Sequence, residues 1–421
     1  RTVHTGLLEY KNVYRPARVI SYDKESGELV LHNYMDFDNL KDYVKISYEL
    51  TQDGLLIGKG KLAEVSVAPH SEGKTNLQVN VPENGKCYLK LTYHLKKEMP
   101  LLEEDYILGF DEIEVSQKDA KCQLAEKWVE KTVTDSELQV SEDDTQIHIK
   151  GREFAYTIDR RTALFTEMKF AGREYLNHPM ELNIWRAPTD NDMYIKSEWK
   201  KAHYDKAYTR AYTTEVVQGK HGVKITSHAS VVAETVQKIL DVTITWKIEA
   251  AGKIDADIAV TKDDEFPDLP RFGVRMFLDK KLSAVRYFGM GPQESYCDKH
   301  QAASHGLYRA DVGDLHEDYI RPQENGSHYD CEYVELNNSR YGIVASAEKA
   351  FSFNASYYTQ EELEKKTHNY ELIESDSVVF CVDYALNGIG SNSCGPVVLE
   401  QYRFDDVLFR FQFTLIPYVK G

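Results

Sequence analysis

Hydrophobic and polar residues alternate with a period of two along most of this chain, the pattern of strands with one face on a core. The first strands are expected at 28–33, 43–50, 76–81 and 87–93. The second of these closes on Gln52-Asp53-Gly54, and an Asp-Gly step between alternating segments is a strong hairpin signal. About a hundred residues of short strands and regular turns predict an immunoglobulin-like β-sandwich over 15–116. From 117 to 136 the chain turns polar and charged, which predicts a linker with room for a short helix. Strands then resume over 137–421, at 146–150, 154–158, 239–248, 254–260 and 409–415. This long run shows no repeat period, so a single large antiparallel β-sandwich is expected. The one clear helix signal is at 359–366, where Thr359 and Glu362 have capping-box spacing and Lys365 and Lys366 suit the C-terminus. The fold class predicted is therefore all-β, an immunoglobulin-like sandwich followed by a much larger one.

Composition changes this picture little. Twenty-eight Tyr and 16 Phe suit strands. A formal net charge of −17 argues against nucleic-acid or anionic-membrane partners. No apolar run is long enough to span a bilayer. Cys87, Cys122, Cys297, Cys331, Cys381 and Cys394 make no Cys-x-x-Cys pair, and no His-Glu-x-x-His occurs, so no zinc motif is present. Their sparseness favours a reducing, cytoplasmic setting. The Asn-x-Ser sites at Asn325, Asn337 and Asn354 carry no weight without a secretory signal.

The chemistry concentrates in Trp185-Arg186-Ala187-Pro188-Thr189-Asp190-Asn191-Asp192. Pro188 disfavours helix at Ala187, and Asp190 and Asn191 are turn formers. The run predicts a strand that ends in a rigid polar loop, a place where scaffolds hold binding groups. The bland alternative is a well-made turn with Asp190 and Asp192 capping it or pairing with Arg186.

This run resembles the Arg-Ala-Pro-x-Asp-Asn-Asp segment of the large β-galactosidases of glycoside hydrolase family two. Four further stretches resemble the same family in the same order. They are Leu269-Pro270-Arg271-Phe272-Gly273, then Gly289-Met290-Gly291-Pro292-Gln293-Glu294-Ser295-Tyr296 with Asp298, then Tyr319-Ile320-Arg321-Pro322-Gln323-Glu324-Asn325-Gly326, and Gly388-Ile389-Gly390-Ser391-Asn392-Ser393-Cys394-Gly395-Pro396. The resemblance covers essentially the whole chain but only the C-terminal part of such an enzyme. It implies that 1–14 is the tail of a catalytic barrel missing from this chain, and a start at Arg1 rather than Met fits a fragment.

The resemblance implies hydrolysis of terminal β-D-galactosides such as lactose, with retention, by the parent enzyme. Retaining hydrolysis needs two carboxyl groups about 5–5.5 Å apart. The family's acid/base is the Glu of an Asn-Glu pair, and this chain has no Asn-Glu dipeptide. Glu103-Glu104 and Glu361-Glu362 are adjacent pairs that read as solvated faces, since neighbours in sequence do not face each other across a substrate. No catalytic residue is therefore assigned, and the chain alone is expected to be inactive. Expected substrate contacts are Asp190, Asn191 and Asp192 in one loop and Asn392, Ser393 and Cys394 in another. Where many relatives have a Gly soon after the first motif, Met193-Tyr194 stand here. The best-known members place a Trp sugar platform where Cys394 stands, which alters the leaving-group side. A buried structural cysteine is the alternative for Cys394. The third loop, 324–328, reads as a tight connection with a type I′ turn at Asn325-Gly326, and Glu294 and Glu324 as core ion pairs with Arg286 or Arg321.

No metal site or cofactor is expected in this chain, while the parent enzymes commonly need Mg²⁺ and Na⁺. The expected partners are the sugar within the whole enzyme, the absent barrel and further copies in a homo-oligomer. The rival readings are a stand-alone carbohydrate-binding sandwich, a separate small subunit of a two-chain enzyme, and a parent acting on another β-glycoside.

Overall fold

The computed structural model describes residues 3–116 and 138–420. The expected linker with its short helix, and Cys122, fall outside the described residues. The chain is all-β, with short helices between long antiparallel strands. It divides into two compact units. The smaller holds the N-terminal part together with two later returns, Phe288–Pro292 and His300–Leu307.

In the smaller unit a three-stranded sheet (Ala17–Tyr22, Glu28–Asn33, Glu72–Asn76) and a four-stranded sheet (Leu55–Lys61, Val44–Gln52, Cys87–Leu95, Ile107–Ser116) enclose one core. Leu29, Leu31, Ile46, Leu89 and Leu91 are among its members, which is the apolar face that the alternation marks. The Asp53-Gly54 hairpin forms with both residues left-handed, φ 48° and 79°. One strand is displaced from expectation. The ladder runs over Glu72–Asn76 and ends with Leu77 N–H donating to the Gly27 carbonyl at 2.8 Å, where the partner strand gives way to the turn at Gly27 (φ 74°). Leu77, Val79 and Val81 still pack on the core, so the alternation at 76–81 reports burial without strand pairing. The segment 5–13 is a helix, Thr5–Val13, anchored by Asn12, which accepts from Phe110 N–H and donates to the Gln301 carbonyl.

The larger unit is built on a strongly extended antiparallel sheet. Its main path runs Leu176–Asn183, Arg271–Asp279, Ser377–Leu386, Tyr341–Ser356, Leu408–Val419, Ile254–Lys262, Leu240–Glu249, Gly222–Val232 and Tyr208–Gln218. A five-stranded sheet from Gln139–Glu142 to Arg173–Glu174 shares its core. The two are tied by indole and phenol donors. Trp246 Nε1 donates to the Ala163 carbonyl at 2.8 Å, Tyr156 to that of Gly252 at 2.7 Å and Tyr175 to that of Tyr418 at 2.8 Å. Strands facing solvent on one side, such as Ile254–Lys262, alternate between buried and less buried residues. Arg271–Asp279 and Ser377–Leu386 are buried on both faces over most of their length. Polar residues in these two strands, among them Arg271 and Asp383, therefore have to find partners inside. The helix Gln360–Lys365 starts where expected, with the Thr359 hydroxyl accepting from Glu362 N–H at 3.1 Å.

Candidate functional site

The loop after Leu176–Asn183 runs extended to Thr189 and then makes one 3₁₀ turn, Asp190–Asp192. Arg186 is fully buried beneath it. Its Nε and Nη2 grip the two oxygens of Asp192 at 3.2 and 2.7 Å. Asp192 also accepts from the Thr189 N–H at 2.8 Å and hydroxyl at 3.1 Å. Bidentate pairing of this kind is the strong form of a charged hydrogen bond. The same guanidinium reaches a second loop, donating through Nη1 to the Asn387 carbonyl and through Nη2 to that of Gly388 at 3.2 Å. The Trp199 ring lies beneath the guanidinium at 5.2 Å.

The second loop follows Ser377–Leu386. Asn387 is buried; its N–H donates to the Pro270 carbonyl and its side-chain oxygen accepts from Phe404 N–H. Asn191 Nδ2 donates to the Ile389 carbonyl at 2.6 Å. The carboxylate of Asp298 accepts from two successive amides, Ile389 N–H at 3.0 Å and Gly390 N–H at 2.8 Å. Gly388 is needed here because an added Cβ would lie 2.6 Å from Asp298 Oδ2. Beyond this foot the tip emerges, with Asn392 at φ 90° and Cys394 exposed.

A third loop completes the group. Gln323 accepts from Asp190 N–H at 3.1 Å and donates to its carboxylate at 3.4 Å, and Glu324 N–H donates to the Ala187 carbonyl at 3.0 Å. Below lie two sets of buried charges. Arg271 holds Asp383 in a bidentate pair at 3.2 and 2.5 Å and Glu324 at 3.2 Å. Glu294 accepts from Lys299 at 2.5 Å, from the Tyr319 hydroxyl at 2.5 Å and from Gly326 N–H at 2.8 Å. Glu294 and Glu324 are thus core ion pairs, but with Lys299 and Arg271 rather than Arg286 or Arg321. Arg286 pairs instead with Glu335 at 2.7 Å. The Asn325-Gly326 connection also differs from expectation, since only Gly326 is left-handed (φ 72°) and a type I′ turn needs both. Asn325 spends its side chain on the backbone of Glu317 and Gln323.

Burial raises the carboxyls of both Glu324 and Asp383 above the ordinary range, against the pull of Arg271. Glu294 goes the other way. Burial opposes its ionisation, but Lys299, Tyr319 and the Gly326 amide outweigh it and hold the carboxyl low.

The fold therefore brings the two expected contact loops together and separates the roles within them. Asp190 is exposed and Asn191 half-buried, while Asp192 is buried and fully committed to Arg186 and Thr189. As a sugar contact Asp192 is corrected to a support, because its oxygens face inward. Asn392 and Ser393 are half-buried and Cys394 is exposed. Exposure replaces the buried-cysteine alternative. Glu104 pairs with Lys45 in the open, while Glu361 pairs with the buried Arg275 at 2.9 Å. Among the described residues no group of three or more His, Cys, Asp or Glu is placed so that it could hold a metal ion. No helix among them is long and apolar enough to cross a membrane. Asp298, Asn387 and Gln323 were not assigned roles from sequence. Asp298 stood in a motif, but nothing local tells which backbone its carboxylate meets.

Fold and site together define an all-β protein whose larger unit presents three polar loops on a foundation of buried charges. The comparisons say which. The family described as beta galactosidase small chain matches residues 150–415, and beta-galactosidase domain 4 matches 29–116. The chain belongs to the β-galactosidase family, in its small-chain region. It is 42% identical to a beta-galactosidase of Actinobacillus pleuropneumoniae over 99% of this chain and 40% of that protein. It is 30% identical to that of Staphylococcus xylosus, over 99% of this chain and 41% of that protein. The chain spans about two-fifths of the length of these curated relatives.

Proposed function

We propose that this chain is the non-catalytic C-terminal portion of a retaining β-galactosidase acting on terminal β-D-galactosides such as lactose, and that its loops form part of the active-site rim. The observation that carries this reading is the joining of the 186–192 and 387–394 loops through Arg186 and Asn191, which leaves Asp190, Asn392, Ser393 and Cys394 outward on a rigid foot. Polar groups held on rigid loops are what a sugar site needs. Asn191 retains an oxygen for the same purpose once its amide is bound to Ile389.

The catalytic carboxylates belong to the portion of the enzyme outside this chain. Beneath the three loops, Asp383 and Glu324 share one cation but are buried on Arg271 and closed to a glycoside. The metal ions such enzymes commonly use would be held in that other portion too, and assembly into a homo-oligomer belongs to the whole enzyme. The test is hydrolysis of an aryl β-galactoside by this purified chain, alone and after mixing with the catalytic portion. No turnover alone and turnover on mixing are expected. Turnover by the chain alone, abolished by a Glu→Gln change within it, would overturn the assignment.

A further inference from the structure

We propose that Asp298 is the positioning residue of the rim, the side chain that sets where the tip at 391–396 stands over bound sugar. The inference rests on the rim reading above and adds to it a residue and a means.

The argument starts from how the tip is held. Among the described residues, no hydrogen bond reaches residues 391–396 themselves. Gly395 has open space where a Cβ would stand. The tip is therefore placed by its foot. On the entering side Pro270 and Phe404 hold Asn387, Arg186 holds the carbonyls of Asn387 and Gly388, Tyr402 takes Gly388 N–H on its carbonyl, Asn191 holds the carbonyl of Ile389, and Asp298 takes the amides of Ile389 and Gly390. Asp298 acts furthest along, next to the tip. Like Arg186, it fixes two successive peptide planes with one rigid group, and the planes it fixes are the nearer to the tip. Its two oxygens match the two donors, so the direction of the chain at Gly390 is determined rather than merely tethered.

The surroundings agree with this role. A Cβ on Gly388 would fall 2.6 Å from Asp298 Oδ2 and 2.9 Å from Val398 Cγ1, and one on Gly390 would fall 3.3 Å from the same oxygen. The loop is glycine at both places where the carboxylate comes close. The Ile389 side chain is driven the other way, into a small apolar cluster with Tyr296 and Leu386. Tyr296 lies two residues from Asp298, so one short segment supplies both the apolar anchor and the polar clamp.

Two donors facing two acceptors give a discriminating substitution. Asp298→Asn keeps size and shape but offers one acceptor oxygen and turns an NH₂ towards the other backbone donor. A merely space-filling Asp298 would tolerate it; a clamp would not.

The experiment has two parts. Amide hydrogen exchange of this chain is compared for the parent, Asp298→Asn and Asp298→Ala. The expected result is at least tenfold faster exchange at Ile389 or Gly390 in Asp298→Asn and at both in Asp298→Ala, with the sheet strands and Gly388 N–H unchanged. Unchanged exchange at 389 and 390 would overturn the clamp, as would a uniform rise across the large sheet. The isosteric Asn variant keeps the test open if the Ala variant does not fold. In the complete β-galactosidase that carries this chain, Asp298→Asn is expected to raise KM for an aryl β-galactoside severalfold with a smaller change in kcat. Faster exchange at the loop with KM and kcat both unmoved would sink the rim reading and leave the clamp as architecture only.

Discussion

Arg186 shows how much of this site rests on a single side chain. It is buried, it neutralises Asp192, and it holds two carbonyls of a loop some two hundred positions away in sequence. Removing one partner of a buried ion pair strands the other charge, at a cost of about 3–5 kcal/mol. Arg186→Met is expected to lower stability by that order, seen as a lower urea midpoint, with Asp192→Asn in the same chain restoring part of it. The charges around Arg271 make a second, opposite prediction. Glu324 has its folded carboxyl raised, so between the ordinary glutamate range and that raised value the folded state binds more protons than the unfolded one. Its contribution to stability falls as pH rises through this window. Glu324→Gln should therefore be tolerated or stabilising at pH 7 and should flatten the loss of stability from pH 5 upward. Glu294 is held low, so its contribution is present above the ordinary range and is lost as pH falls through its lowered folded value. Glu294→Gln should flatten the acid limb instead. Thermal melts from pH 3 to 8 check both signs.

At the scale of elements, the strands are legible in the sequence wherever one face meets a core and the other meets water. Ile254–Lys262 and Cys87–Leu95 alternate for that reason. The alternation cannot say which backbone a segment pairs with. Beyond Leu77 the apolar positions continue while the ladder stops, because the partner strand ends in the turn at Gly27. The tie between the sheets of the larger unit is a similar case. Trp246 reads as one more apolar residue in a strand, yet its indole satisfies the carbonyl of Ala163. Trp246→Phe keeps an aromatic ring but removes the indole N–H and part of the buried volume, orphans a buried acceptor, and is expected to cost at least about 1–3 kcal/mol by chemical denaturation. Thr359→Ala, which removes a helix cap, is expected to cost about 1 kcal/mol.

At the scale of the whole molecule, charge sets which partners the chain repels. A net charge of −17 repels polyanions. The fluorescence anisotropy of a labelled DNA duplex is expected to stay flat on titration with this chain, even at low salt. The relatives that match it over 99% of its length are about two and a half times as long as this chain. The proposed division of labour follows: this portion supplies loops and their foundation, the remainder supplies the reacting carboxylates.

The sequence by itself determined the all-β class, most strands, the Asp53-Gly54 hairpin and the two loops that carry polar groups. Each of these is local, written in a period of two or in the dihedral limits of Gly, Pro and Asp. It also carried the motifs that mark the family. Only the tertiary structure decided which polar residues face outward. Arg271 meets Glu324 and Asp383 across 53 and 112 positions, and Asp298 meets Ile389 across 91. A carboxylate in a loop looks the same in sequence whether it awaits a ligand or holds a neighbouring backbone. The difference is made by burial, which penalises any unpaired charge and so fixes inner carboxylates on partners that distant strands bring to them.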